Sequence, residues 1–259
     1  MDWEQILRSN GLDRYDRNAR LYPAFLSLLP VFVVIAVWLP PVWTLLGGLI
    51  SLASACGLIF FLAQIVRYLG RQVEKRLGDR VGRARSAVLL SHGDTLIAAD
   101  TKARYHRYLA DHGIKVPDRD LETRNPAAAI QGFRSAVDWL LEHTRPNAQS
   151  SMLLNENIAY GFRRNLVGLK PVAIALLVVA IAINAYLIAT KDDQSRMVAA
   201  GAVELFFLMS LIAWIYVVGS AFVEDASVAY AQRFLAQCEH PSGPQNPRNP
   251  RRSATTLTT

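Results

Sequence analysis

Four long stretches of almost uninterrupted apolar residues constrain this 259-residue chain more than any other feature of its sequence. A bilayer core about 30 Å thick is crossed by about 20 helical residues, so each stretch is long enough to span it. Helices on the surface of soluble proteins have a polar face and do not stay apolar all round for this length. We therefore predict four transmembrane helices: Leu21–Leu39, Val42–Val66, Val172–Thr190 and Val198–Val223.

The connections between these stretches predict two tight hairpins. Pro40 and Pro41 supply almost the whole connection between the first two spans, and Trp38 and Trp43 flank it. Because tryptophan favours the headgroup layer, we expect this pair to mark one membrane surface. The connection between the last two spans, residues 191–197, is short and polar.

The predicted fold class is an all-α integral membrane protein with four transmembrane helices in two hairpins and a small helical cytoplasmic domain between them. Its segments in chain order are an N-terminal cytoplasmic segment 1–20, a first hairpin 21–66, the cytoplasmic domain 67–170, a second hairpin 171–223, a cytoplasmic helix extension 224–240 and a disordered, proline-rich tail 241–259.

The distribution of positive charge predicts the orientation. Of the 28 lysines and arginines, 26 lie outside the two hairpin connections, and 18 fall between residues 67 and 170. The positive-inside rule places both termini and this segment in the cytoplasm, as in a bacterial-type inner membrane protein. The same segment has 11 acidic residues and so carries the whole formal net charge of +7. Topology explains that excess, and a nucleic-acid partner is not expected.

The cytoplasmic segment has helical rather than strand periodicity. A basic amphipathic helix is expected to continue the second span, with an apolar stripe formed by Leu69, Val73, Leu77, Val81, Ala84 and Val88. Its arginines are suited to binding anionic lipid headgroups, or they act only as the positive-inside signal.

Two further helices are predicted in this segment. The first is capped by Asp94 or Thr95 and runs to His112. The second is capped by Asn125 and has Pro126 at its first position, where the missing N–H costs nothing.

The polar residues that precede the third span are the candidates for a ligand site or a pore mouth: Asn155, Asn157, Tyr160 and Asn165, together with Arg163 and Arg164. The guanidinium group of arginine and the side-chain amide of asparagine both donate hydrogen bonds that can hold an anion. The alternative is structural, with the arginines flanking the bilayer and the aromatic residues packed in the interface.

The acidic pair after the fourth span is expected at the same depth as these arginines. We predict that Glu224 and Asp225 lie near Arg67 or near Arg163 and Arg164, forming a charged collar at the cytoplasmic surface.

Glu204 is the only charged residue within a predicted span, and such residues are functional candidates because burying a charge in lipid is costly. Asn184 lies at a similar depth in the preceding helix, so a hydrogen bond between the two is expected. The pair either lines a pore or proton path, or holds two helices together at about 0.6–2 kcal/mol.

Motifs of known enzyme chemistry are missing from the sequence. It contains no Walker A loop, dinucleotide-binding glycine pattern, Gly-x-Ser-x-Gly or Cys-x-x-Cys. The spacing of His106 and His112 does not suit one helical face, so no metal site and no cofactor are predicted. Cys56 and Cys238 are not expected to form a disulfide.

This layout resembles that of small multi-pass bacterial proteins that act as signal-gated membrane effectors. The leading hypothesis is a homo-oligomer whose cytoplasmic domain receives a signal, a cytoplasmic protein or a small anionic ligand, and then acts on the membrane, in a pore-like role among others. One alternative is a membrane anchor or scaffold subunit for a soluble partner. A membrane-embedded enzyme acting on lipid or phosphate groups is the third hypothesis.

Overall fold

The computed structural model describes residues 13–39, 57–144, 151–191 and 194–239. All regular secondary structure in these ranges is helical, as the sequence predicted. We number the α-helices in chain order: α1 Arg14–Trp38, α2 Leu58–Leu77, α3 Gly82–Leu90, α4 Ala99–Asp111, α5 Arg119–Arg124, α6 Pro126–Thr144, α7 Ser151–Thr190, α8 Gln194–Tyr216 and α9 Ser220–Leu235.

Three of the described helices, α1, α7 and α8, are long and apolar enough to cross a membrane. They match the first, third and fourth predicted spans and support a membrane protein. The second predicted span, Val42–Val66, lies largely outside the described residues, and only its last part is seen, at the start of α2. The Pro40–Pro41 connection, Cys56 and the tail 241–259 lie outside them as well.

Helix α7 is the central element of the fold. It is a single helix of 40 residues, about 60 Å long at 1.5 Å per residue, and it packs against α1, α2, α8 and α9. Pro171 lies inside it without ending it. The predicted boundary between the cytoplasmic domain and the second hairpin, at 170/171, therefore falls within one continuous helix.

The first of two main apolar clusters, which we call the globular core, is built by α3, α4, α6 and α9 with the beginning of α7. Its largest fully buried side chains are Leu89, Leu90, Leu109, Phe133, Val137, Leu140 and Leu235. Leu153 joins α7 to this cluster.

The second cluster, which we call the span core, lies between the three candidate spans. Its buried residues include Val34 and Trp38 of α1, Ala173, Leu177 and Ala180 of α7, and Ala200, Phe207 and Trp214 of α8. Large apolar side chains on the outer faces of these helices remain exposed, as expected for surfaces that contact lipid.

Glycines bring α2 and α7 into close backbone contact. A Cβ atom built on Gly168 would lie 2.9 Å from the carbonyl carbon of Leu69 and 3.0 Å from the backbone nitrogen of Gly70. A Cβ on Gly70 would in turn overlap the side-chain oxygen of Asn165. Only glycine at both positions permits this approach.

The predicted basic extension of the second span is two helices rather than one, which corrects the sequence prediction. Helix α2 ends at Leu77, and α3 begins at Gly82. Gly78 and Gly82 have φ values of +56° and +63°, in the left-handed region that glycine adopts without strain. The chain therefore turns here, and α3 packs against α6 and α9.

The fourth predicted span is also interrupted. Helix α8 ends at Tyr216, and α9 begins at Ser220, so the predicted continuous span Val198–Val223 is wrong in its last part. The Lys170 ammonium donates to the carbonyl oxygens of Ile215 and Val218, each at 2.8 Å. These bonds satisfy carbonyl groups that the end of α8 leaves without a helical partner.

The other differences in the helical segment are local. Helix α4 begins at Ala99, because the Asp94 carboxylate accepts from the backbone N–H of Leu96 at 2.9 Å and holds a turn instead of capping a helix. The charged linker before Asn125 contains the short helix α5. Asn125 caps α6 as predicted, accepting from Ala128 N at 3.1 Å.

Candidate functional site

A cavity of about 300 Å³ lies between the globular core and the span core, where α1, α2, α3, α6, α7 and α9 meet. Its lining is dominated by arginine and tyrosine, and we call it the arginine cavity. The charged residues that line it are Arg20, Arg67, Arg71, Arg83, Arg164 and Glu74.

Two of these arginines form no ion pair among the described residues: Arg67 and Arg71, which lie one helical turn apart on α2. Each of the other three has a carboxylate partner. Arg164 donates to Glu74 at 2.8 Å, Arg20 pairs with Asp16 on its own helix, and Arg83 is 3.7 Å from Asp138. The cavity therefore has an excess of two positive charges from α2.

Arg164 and Tyr160 form the buried wall of the cavity. The Arg164 guanidinium lies 5.4 Å from the centre of the Tyr160 ring, and the Tyr160 ring stacks on that of Tyr230 at 6.0 Å. Tyr160 is 4% exposed, and the Arg164 guanidinium interacts with its hydroxyl oxygen, but the hydroxyl proton has no acceptor among the described residues. The Nε atoms of Arg164 and Arg20 are buried and unpaired in the same way. Buried polar groups without a partner are rare, so this wall is chemically unsatisfied.

The structure separates the asparagines that the sequence grouped together. Asn157 lines the arginine cavity with Tyr160, whereas Asn155 is exposed and accepts from Arg14 at 2.9 Å. Asn165 is fully buried, and its Nδ2 donates to the carbonyl oxygen of Ala19 at 2.6 Å. That carbonyl belongs to a π-helical stretch of α1, Arg17–Leu21, where the regular helical bonding is disturbed. Asn165 thus joins α7 to α1.

The charged collar is present only in part. Asp225 accepts from Arg163 at 2.6 Å, as predicted, and the same guanidinium donates to the carbonyl of Phe222. Glu224 is instead 3.0 Å from Arg80. Adjacent residues on a helix point about 100° apart, so the two carboxylates of α9 face different neighbours.

The predicted hydrogen bond between Asn184 and Glu204 is present: Asn184 Nδ2 donates to Glu204 Oε2 at 2.8 Å. Asn184 is fully buried, and its Nδ2 also donates to the carbonyl of Ala200 at 3.0 Å. Its Oδ1 accepts from Trp38 Nε1 at 2.8 Å. Trp38, expected at the headgroup layer, is therefore a buried member of a network that joins all three candidate spans.

A second cavity, of about 450 Å³, lies beside α4 and is lined by His92, Asp94, Lys102 and His106, among others. Lys102 is buried and donates to the carbonyls of Ser91 and Asp94 at 2.5 and 2.6 Å, while His106 bonds the carbonyl of Leu90 at 2.8 Å. Burial lowers the pKa of Lys102 and of His106 below their ordinary values. These groups hold the backbone between α3 and α4, which makes this cavity a structural feature.

Within the described residues, no three histidine, cysteine, aspartate or glutamate side chains are grouped so that they could hold a metal ion. Cys238 is a buried free thiol in the globular core. Burial raises its pKa to about 12, so it is not a reactive thiolate at neutral pH.

Sequence reasoning missed most of the residues that complete the arginine cavity. Tyr15 and Arg20 come from the start of α1, and Tyr230 comes from α9. Arg71 is one of the arginines of the predicted basic amphipathic helix, and nothing in the sequence singles it out from the others. The available signal was the unbalanced charge of Arg67 and Arg71 near a predicted membrane surface, but which side chains converge there depends on tertiary packing.

No family model matches the chain, and no curated protein and no solved structure is significantly similar to it.

Proposed function

We propose that this protein is a homo-oligomeric membrane effector, whose globular helical part receives a signal or partner and acts on the membrane-spanning part. One observation carries the proposal: α7 is a single helix that contributes Leu153 to the globular core and Leu177 to the span core. Because packed helices shift as rigid bodies, a displacement at one end of α7 changes the packing at the other.

The position of the arginine cavity supports the same proposal. It lies beside the middle of α7, and Arg164 on this helix is paired with Glu74 on α2. Anything that binds in the cavity would change contacts between α2 and α7, and thus act on the element that joins the two cores.

Within this proposal the chain crosses a bacterial-type inner membrane four times, and both termini and the globular core face the cytoplasm. The positive-inside pattern supports this orientation, and so does the position of the arginine cavity next to the spans.

A labelling experiment tests the topology. In a background without native cysteines, Gln194→Cys in the predicted outer connection is expected to react with a membrane-impermeant maleimide in intact cells. Lys115→Cys is the matched exposed control and is expected to react only after the cells are permeabilised. Labelling of both positions from the same side would contradict the proposed topology.

Reconstitution tests the effector role. The purified chain is expected to be larger than a monomer by native mass spectrometry and to release an entrapped ion-sensitive dye from liposomes. If the network of Trp38, Asn184 and Glu204 lines the conducting path, Glu204→Ala should abolish dye release. Glu204→Gln keeps a hydrogen-bond acceptor for Asn184, so it tests the effect of the negative charge alone. A strict monomer that causes no release would contradict the effector role and favour a membrane anchor for a soluble partner.

A further inference from the structure

We propose that the arginine cavity is a binding site for a phosphomonoester dianion, held by Arg67 and Arg71 of α2 and by the buried wall formed by Tyr160 and Arg164. The proposal rests on the proposed function only for the placement of the cavity at the cytoplasmic membrane surface. It adds the chemical class of the signal.

The charge of the cavity fits a dianion. Of its five arginines, Arg20, Arg83 and Arg164 are paired with three carboxylates, whereas Arg67 and Arg71 form no ion pair among the described residues, and Arg67 shares only the field of the Asp16 carboxylate that Arg20 already binds. The uncompensated charge is therefore about two, and a phosphomonoester carries about −1.5 to −2 at pH 7. A phosphodiester or a carboxylate, with one negative charge, would neutralise only half of it.

The unsatisfied groups fit a ligand with several acceptor oxygens. The Tyr160 hydroxyl proton and the Nε–H groups of Arg164 and Arg20 are buried at the cavity, and none of them has an acceptor in the part of the chain that the structure describes. All three can donate to oxygen, and a phosphate group has three acceptor oxygens. Forked guanidinium donors bind such an anion in a defined orientation.

Gly82 keeps the cavity open. A Cβ atom at this position would lie 2.5 Å from Glu74 Oε1 and 3.0 Å from the Tyr160 hydroxyl, and so would fill the space between them. The backbone N–H of Gly82 is already used, donating to Ser227 Oγ at 2.7 Å, so the glycine contributes space rather than a donor.

The cavity is accessible from one side. Arg71 and Arg83 are exposed, whereas Arg164 and Tyr160 are buried, so the ligand would enter past the exposed arginines and reach the tyrosine. Arg67 follows directly after the predicted second span, which places the entrance at headgroup depth. Both a lipid headgroup and a soluble phosphate have access to such a site.

The experiment measures binding to the full chain in nanodiscs. In neutral phosphatidylcholine discs, inorganic phosphate is titrated and binding is followed by calorimetry. In parallel, discs containing phosphatidic acid, a lipid phosphomonoester, are compared with discs containing phosphatidylglycerol, a phosphodiester, by native mass spectrometry of bound lipid. Binding of inorganic phosphate identifies a soluble ligand, while retention of phosphatidic acid alone identifies a headgroup.

The test variant is Arg67→Gln/Arg71→Gln, and its matched control is Lys75→Gln/Arg76→Gln, which removes two exposed charges from the same helix outside the cavity. The test variant is expected to weaken binding by about tenfold or more, and the control by less than about twofold. Tyr160→Phe keeps the ring and removes only the unsatisfied hydroxyl, and it should weaken binding severalfold. Thermal melting of each variant without ligand reports whether it is folded.

Three results would overturn the proposal: binding of neither probe by the wild-type chain, equal loss in the test and control variants, or equal retention of phosphatidylglycerol and phosphatidic acid. The last would indicate attraction by surface charge alone. The binding measurement does not depend on the dye-release assay. Phosphate binding without dye release would therefore contradict the effector role but not the binding site.

Discussion

Replacing Gly168 with alanine is expected to destabilise the protein, although alanine is the better helix former. The added Cβ would lie 2.9–3.0 Å from backbone atoms of Leu69 and Gly70, closer than real Cβ contacts allow. Backbone cannot rotate away as a side chain can, so α2 and α7 must separate. Overpacking of this kind costs about 1–3 kcal/mol, which outweighs the gain of up to about 1 kcal/mol in helix propensity.

The matched control is Gly201→Ala on α8, where nothing lies within 4 Å of the added Cβ. This change should leave stability unchanged or raise it slightly, since only the helix propensity differs. Tryptophan fluorescence during thermal unfolding in detergent measures both variants. If Gly168→Ala melts at or above the temperature of Gly201→Ala, the close contact between α2 and α7 is wrong.

Separation of α2 and α7 would also disturb the arginine cavity, whose unpaired arginines lie on α2 and whose buried wall lies on α7. Gly168→Ala is therefore expected to weaken phosphate binding as well as stability, and Gly201→Ala to leave binding unchanged. The same nanodisc titration measures this effect.

The sequence predicted the parts of the fold that depend on local composition. Apolar length alone located α1, α7 and α8, and the capping pair Asn125 and Pro126 located the start of α6. These signals are carried by neighbouring residues, so they do not require knowledge of the tertiary structure.

The positions where helices are interrupted and the contacts between distant parts of the chain could not be predicted from local composition. The sequence predicts one continuous helix here, but Gly78 and Gly82 each have a positive φ, and the chain turns between them. Lys170 was counted only as a positive charge, yet it satisfies the end of α8, 45 residues away. Such roles depend on which elements meet, and a local pattern does not contain that information.

In the candidate site, too, the sequence shows which residues are charged but not all of the contacts that they make. The charges of Arg67, Arg163 and Arg164 at a membrane boundary were visible in the sequence, and so was the pairing of Arg163 with Asp225, but the partner of Arg164 was not. Glu74 pairs with Arg164, and Arg163 pairs with Asp225. The arginines that are left without an ion pair determine what the cavity can bind. Which arginines these are follows only from the packed structure.

The buried network of Trp38, Asn184 and Glu204 should be the largest polar contribution to the packing of the candidate spans. Asn184 is 0% exposed and makes three hydrogen bonds, with partners on α1 and α8. Asn184→Leu fits the site in size, but it removes every bond and leaves the Trp38 N–H and the Glu204 carboxylate without this partner. Interhelical hydrogen bonds in membranes contribute about 0.6–1.7 kcal/mol each, and a buried group left unsatisfied costs about 1–3 kcal/mol.

We therefore expect Asn184→Leu to lower the free energy of unfolding by about 2–4 kcal/mol, at the upper end of what one substitution does. Trp38→Phe removes the indole donor and retains most of the ring, so a double-mutant cycle between the two isolates their hydrogen bond. The double variant is expected to be less destabilised than the sum of the single variants, by about 0.6–2 kcal/mol. Unfolding in a detergent–denaturant titration supplies the four free energies. Additive effects would mean that Asn184 and Trp38 do not interact, and the remaining polar contacts of α1 with α7 and α8 would be those of Arg14, Asn165 and Arg196.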